Sequence, residues 1–450
     1  MRNLRLVSMM MGLLMSLCLG LHGQTLSLDT CLTLALEHNA AVKNAELSVE
    51  MAELVKKQAF TKYFPNVSGI ALGYYALHPL VEYGVDDIDN ATARQWLHNF
   101  YMEYGHALGI PESLSLAEKG MSVGATLMQP VFMGGQIAFG NKLASVGVEA
   151  AELQKELQQQ EILLKTEQSY WLVVSLKAKL QTVVAALDFL DTLYRDVEGA
   201  CNAGLLTRNE LLKVSLKRTE MRSSLLRVQN GIQLAQRALC QMIGVLYDEN
   251  VQLGDTIPAV MPTPESLYSD MDAAVFNRKE TRLLQLQMEA ARLQRKMVLG
   301  EALPHLMVGA GVAYGNLIFD DYSTNGLVFA SLQVPLTGWW ENAYKQKEAA
   351  LKLQHARNDY EDLTEKMSLE TNQAWNNLQE RYAQMDLAEV TVAEADANLQ
   401  TVSQNYHAGL ASVSDLLEAQ ALYQQALDQQ IDMRIDYRMA EVRYRQLVLK

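Results

Sequence analysis

The sequence is poor in the residues that interrupt helices, cross-link chains or carry charge. Of its 450 residues nine are proline and four are cysteine, and 20% are charged against 49% hydrophobic. Few prolines mean few compulsory breaks, because proline inside a helix removes a backbone hydrogen bond and costs about 3 kcal/mol. The cysteines, dispersed at Cys18, Cys31, Cys201 and Cys240, form neither a disulfide framework nor a metal-binding pattern. His-Glu-x-x-His, the Gly-x-Ser-x-Gly elbow and a phosphate-cradling glycine loop are all missing, and the eight histidines are scattered. No enzyme activity, cofactor or metal is therefore expected. Beyond the N-terminal segment no apolar run reaches the roughly 18 residues a membrane-spanning helix needs.

What is present begins with a leader. "MRNLRLVSMMMGLLMSLCLGLHGQ" has a basic start at Arg2 and Arg5, an apolar run and a small Gly23 before Gln24. It reads as a secretory signal over 1–23, a membrane anchor being the alternative. Without it, 36 basic residues face 52 acidic ones, which argues against nucleic acid as partner. An exported chain with no spanning helix is periplasmic, extracellular, or held in an outer membrane by strands.

The prolines partition the chain, and none falls within 131–257 or 336–450. In those stretches Leu176, Leu180, Val183, Leu187, Leu190, Tyr194 and Val197 advance by alternating steps of four and three, the repeat of a coiled-coil seam. Helices are predicted over 136–202, 206–243, 339–407 and 412–448, the first roughly 100 Å long. Gly204 and Gly409 follow the long helices and precede the shorter ones. Glycine takes the left-handed conformation that ends a helix cheaply, so each Ala-Gly-Leu is the expected tip of an antiparallel hairpin.

Four other segments alternate with period two: 66–76, 119–130, 305–316 and 326–335. In the third, Leu306, Val308, Ala310, Val312 and Tyr314 oppose Met307, Gly309, Gly311, Ala313 and Gly315. A half-buried strand of a soluble sheet would read this way. The chain offers no element to cover the apolar face, however, and four strands leave two open edges that lipid forbids. Closure must then come from other copies of the chain.

The unit is duplicated. The tips "CNAGLLTRNELLKVS" (201–215) and "YHAGLASVSDLLEAQ" (406–420) lie 205 positions apart, and Trp171 answers Trp375. The first repeat is expected over 24–250 and the second over 268–450, joined by a Pro-punctuated linker, 251–267, running as an extended belt. The first strand pair encloses 76–120, expected as a long outer loop with a short helix near 91–104.

With the opening "LSLDTCLTLALEHNAAVKNAELSVEMAE", the two tips and the repeated helix, strand, strand, hairpin order, the chain resembles the TolC-like outer-membrane efflux proteins over nearly its whole mature length. The resemblance implies a mixed, mainly α fold: duplicated helical hairpins forming a trimeric periplasmic tunnel, and four strands per chain in a shared twelve-stranded outer-membrane barrel. It implies an exit duct of a tripartite efflux pump or type I secretion system, a homotrimer in outer-membrane lipid that meets a periplasmic adaptor and, through it, an inner-membrane transporter. By motif position Asp415 and Glu418 would ring the periplasmic aperture, the alternative being solvated charges near a helix tip. Glu210 and Tyr406 would hold the tips closed. The basic residue of that network falls at Ala411, leaving Arg208 as a substitute. Gly204, Leu205, Gly409 and Leu410 would form the tips that meet the adaptor. Trp339 and Trp340 would form an interfacial belt or pack the helix start. The rival classes are an adaptor of such pumps, which has one hairpin inserted into compact modules, and a coiled-coil envelope scaffold, which needs no strands.

Overall fold

The computed structural model describes residues 25–77, 81–105, 108, 113–116, 119–248, 252–258, 260–316, 322–336 and 338–448. The expected leader, 1–23, lies outside the described residues, as do parts of the 76–120 loop.

In chain order the elements are β1 (Thr25–Leu26), α1 (Leu28–His38), α2 (Ala40–Thr61), β2 (Asn66–Tyr75), β3 (Val81–Gly84), α3 (Ala91–Phe100), β4 (Ser113–Leu116), β5 (Lys119–Met133), α4 (Gln136–Asn202), α5 (Arg208–Met242), β6 (Gln252–Leu253), α6 (Met271–Asn277), α7 (Lys279–Glu301), β7 (His305–Gly315), β8 (Ser323–Gln333), α8 (Gly338–His407) and α9 (Val413–Val448). Two compact units result: residues up to 52 with 148–287 and 356 onward, and residues 53–147 with 288–355. The division cuts across the sequence duplication, since each repeat contributes to both units.

The first unit is helical. One core packs Cys31 and Ala35 of α1 and Val42 of α2 against Tyr170, Trp171 and Val173 of α4 and Leu239 of α5. A second surrounds Tyr437 and Tyr444 of α9 with Leu378 and Met385 of α8 and Met261 of the linker. A polar seam joins the two repeats: Lys179 pairs with Asp432 at 2.6 Å, and Thr182 donates to Asp428 at 2.9 Å. The linker is strapped down by tyrosines. Tyr170 donates to Asp255 at 2.6 Å, the same carboxylate accepts from the Leu28 amide at 2.8 Å, and the Tyr437 hydroxyl donates to the Pro262 carbonyl. These bonds satisfy an extended segment that has almost no ladder of its own.

In this unit Glu441 is fully buried between Arg438 (2.9 Å) and Arg445 (2.7 Å), and Arg438 reaches Glu167 at 3.3 Å. Trp171 donates its indole N–H to Glu167 at 3.2 Å, completing the chain of charges.

The second unit holds an antiparallel sheet in the order β2-β5-β7-β8. β5 runs through Pro130 to Met133, three residues beyond the expected end, because the register shifts between Pro130 and Phe132 and the bulge accommodates a residue without an N–H. β8 starts three residues before the expected 326 and stops at Gln333, short of Pro335. In the outer loop, β3 and β4 pair, and α3 begins on an Asn90 cap whose side chain accepts from Thr92 and Ala93.

Candidate functional site

Both helix-to-helix tips close with the same backbone device. Gly204 (φ 75°) and Gly409 (φ 80°) take the left-handed conformation. Leu205 N–H bonds the Ala200 carbonyl at 2.8 Å, and Leu410 N–H bonds that of Asn405 at 2.7 Å. These six-to-one bonds satisfy carbonyls that the helix end would otherwise orphan. Leu205 and Leu410 project from the tips, 79% and 80% exposed.

Behind the tips the two hairpins share one apolar cluster. Leu193, Val197 and Val214 of the first pack with Val413 and Leu416 of the second, and Tyr406 lies against them. Burial, then the nearby carboxylates of Asp196 and Glu210, push the Tyr406 phenol up. Glu210 is bridged by Lys213 at 3.0 Å, and Lys213 donates to Ser414 Oγ at 2.8 Å. The second oxygen of Glu210 is buried with no hydrogen-bond partner among the described residues.

Lys213 is therefore the cation of this network. Arg208 is exposed and takes part in no ion pair among the described residues, which corrects the expectation that it replaces the basic residue missing at Ala411. Its place in the helix explains this: at the first position of α5 it points away from the buried cluster, whereas Lys213 lies almost one turn beyond Glu210 on the same face. Spacing alone held the signal, since Lys213 stands three residues after Glu210 and 205 before Glu418.

Asp415 and Glu418 are both exposed, one turn apart on α9, opposite the buried Val413, Leu416 and Ala419. Asp415 is also a capping residue. Its carboxylate accepts from the Ser412 amide and hydroxyl, each at 2.8 Å, and Ser412 Oγ accepts from the Asp415 amide at 3.2 Å. This reciprocal box satisfies two otherwise orphaned donors. The hydrogen bonds from the Ser412 backbone and side chain hold the carboxyl below its ordinary range. The Ser-x-x-Asp signature was legible in the sequence but is hidden beneath the tip motif. In the first repeat the matching Thr207 makes no side-chain cap, and Glu210 is free to meet Lys213.

The sheet has two chemically distinct faces. Val67, Leu127, Ala310 and Val328 align across the four strands, followed by Ala71, Val123 and Tyr314. Val67, Val123, Val312, Tyr314 and Val328 are each more than half exposed. The other face is mixed: it carries Ser68, Thr126, Gly311 and Ser122, with Ser68 and Thr126 hydrogen-bonded at 2.8 Å, but also the exposed Ile70, Leu72 and Leu327. Among the described residues, β2 and β8 are unpaired on their outer sides. No helix among the described residues is long and apolar enough to cross a membrane. Trp339 donates to the Ala302 carbonyl at 3.3 Å while remaining 55% exposed, and Trp340 is 78% exposed.

The family of outer membrane efflux proteins matches residues 31–245 and 272–448. No curated protein matches the sequence. Among solved structures, the outer membrane protein VceC of Vibrio cholerae is similar with a TM-score of 0.71 at 17% identity, covering 93% of this chain and 95% of its own. The Campylobacter jejuni CmeC outer membrane channel gives 0.74 at 16% identity, covering 96% and 90%. The open state of the Neisseria gonorrhoeae MtrE outer membrane channel gives 0.71 at 14% identity, covering 93% and 88%. With both repeats matched and a sheet whose apolar face suits lipid, the chain belongs to the outer membrane efflux protein family and is an outer-membrane duct of an efflux pump.

Proposed function

We propose that this duct is a homotrimer in which β8 of each copy pairs with β2 of the next. Twelve strands then close a barrel around the mixed face, and the more uniformly apolar face meets lipid. The observation that supports this most directly is the pairing of two open edges with one exposed apolar face, which a lone chain leaves unsatisfied in lipid. Conduction through the duct is passive, without chemistry on the substrate. Trp339 and Trp340 anchor the periplasmic boundary of the barrel.

The tips are the gate. Three copies of Asp415 and Glu418 converge on the aperture and attract cations through their summed field. Lys213, bridging Glu210 to Ser414 beneath Tyr406, holds the two hairpins of one chain together there. Leu205 and Leu410, exposed beside Gly204 and Gly409, offer the apolar contact for a periplasmic adaptor, which links the duct to an inner-membrane transporter. The test is single-channel recording in a planar bilayer. A small, cation-preferring conductance is expected, with the preference lost in Asp415→Ala combined with Glu418→Ala; an unchanged preference would remove these residues from the aperture.

A further inference from the structure

A cavity of about 680 Å³ opens on the mixed face of the sheet where strand gives way to helix. Its lining is unusual in carrying four methionines: Met128 and Met133 of β5, Met297 of α7 and Met307 of β7, all half-buried. The bulge in β5 creates this grouping. Pro130 pairs with Met307, but after the shift Phe132 pairs with Leu306 and Met133 with His305. Strict alternation would put residue 132, rather than 133, on the same face as 130. The bulge reverses the phase, sends Phe132 to the apolar face and turns Met133 inward.

Lys62, just past the end of α2, is the one charged residue in the lining, and among the described residues it takes part in no ion pair. Asn66, Gln136 and Asn141 add amide groups. Thioether side chains are flexible and polarisable, so they accommodate apolar bodies of varied shape, and a volume in this range fits a drug-sized molecule. We propose that the cavity is a binding niche in the duct wall for amphipathic organic anions, with the apolar body among the methionines and the acid group at Lys62. The proposal rests on the reading of this mixed face as the duct interior.

The test uses the full-length protein in lipid nanodiscs with 13C-methyl-labelled methionine. The probe is 8-anilinonaphthalene-1-sulfonate, and the comparison compound is N-phenyl-1-naphthylamine, which has the same rings without the sulfonate. The sulfonate probe is expected to shift the methyl signals of Met128, Met133, Met297 and Met307, leaving that of Met51, 58% exposed on α2, in place. Lys62→Gln should weaken its binding about tenfold, the worth of one charge-assisted hydrogen bond, and leave the neutral compound's affinity unchanged. Gly140→Leu should fill the niche and abolish binding of both. Gly140→Ala places its methyl 3.7 Å from Met297 Cε, an ordinary contact, and should leave binding intact. Equal shifts at Met51, or an affinity for the sulfonate indifferent to Lys62→Gln, would overturn the proposal. Conductance of the same variants separates the two readings: a conducting pore that ignores the probe sinks only the niche, and a protein that forms no pore sinks the duct.

Discussion

Lys213 Nζ lies 2.8 Å from Ser414 Oγ, joining the second turn of α5 to the first turn of α9 across 201 positions of chain. The bond spans the two hairpins at their tips, and its other partner is Glu210. Lys213→Met removes the bridge and leaves Glu210 without its cation. Because Lys213 is 41% exposed, the stability loss should stay within about 1 kcal/mol. The effect on gating should be larger, since among the described residues no other polar contact ties Ser414 to α5. Single-channel conductance is expected to rise while the unfolding temperature barely moves; an unaltered conductance would exclude the bridge from the closed state.

Asp415 carries two roles that substitution can separate. Asparagine keeps an acceptor for the Ser412 amide but removes the charge, whereas alanine removes both. Asp415→Asn and Asp415→Ala should therefore lower cation preference equally. Only alanine should fray the start of α9, seen as faster amide exchange at Val413–Leu416. The carboxyl is held below its ordinary value of 3.8 by its hydrogen bonds with Ser412. A depressed acid contributes its stabilisation above the unfolded-state value and loses it as pH falls through the lower folded value. The protection of these amides relative to their intrinsic exchange rate should hold at neutral pH and fall only below about pH 4.

Glu441 is the charge whose loss should cost most. It is fully buried, with Arg438 and Arg445 on either side, 28% and 45% exposed. Glu441→Ala leaves two guanidinium groups facing each other without the anion between them. Breaking a fully buried pair costs about 3–5 kcal/mol, and the partial exposure of both arginines reduces this to about 2–3 kcal/mol. Trp171, buried and bonded to Glu167 in the same chain of charges, provides the fluorescence signal for unfolding. Replacement of both Arg445 and Glu441 by methionine should recover part of the loss, because Arg438 keeps Glu167 as its anion and the penalty is the unpaired charge, not the missing attraction.

The architecture was legible because period and proline act locally. Gln136–Asn202 is the predicted first helix to the residue, since helix capping and a 3.5-residue seam leave little freedom within a proline-free stretch. The strands at Asn66–Tyr75 and His305–Gly315 follow likewise from alternation bounded by proline. What the sequence hid depends on registers that only packing sets. Lys213 meets Ser414 because α5 and α9 cross at their starts, and Met133 turns inward because β5 slips by one residue against β7. Asp415 was assigned by motif position alone, and the cap it forms with Ser412 shows how one residue can satisfy a fold and still present charge to solvent.

Cys31, Cys201 and Cys240 should differ in reactivity. Burial, with smaller contributions from Cys240 and Asp255, pushes the Cys31 thiol up to about 12, and burial followed by Asp248 raises that of Cys240. Both remain protonated and sheltered at pH 8, whereas Cys201 is partly exposed beside the first tip. A maleimide should label Cys201 alone in the folded protein and reach Cys31 and Cys240 only after denaturation. Fast labelling of Cys31 would mean that α1 detaches from its core.

Glycines with positive φ should divide into two classes under substitution by alanine. At Gly204 and Gly409 a Cβ meets nothing within 4 Å, so the cost is only that of holding an L-residue in the left-handed region, about 1 kcal/mol. Both single variants should reach the membrane at near-normal levels and unfold a few degrees earlier. At Gly134, φ is 61° and the added methyl would collide with the Gly300 carbonyl. Neither partner in that clash is a flexible side chain: one is the turn that ends β5, the other the backbone of α7. Gly134→Ala must therefore push strand and helix apart at the point where β5 passes into α4. The folded, heat-modifiable species on a gel should be severely depleted for Gly134→Ala and present for both tip variants; equal yields for all three would show that the strand-to-helix junction is looser than the close approach of Gly134 and Gly300 requires.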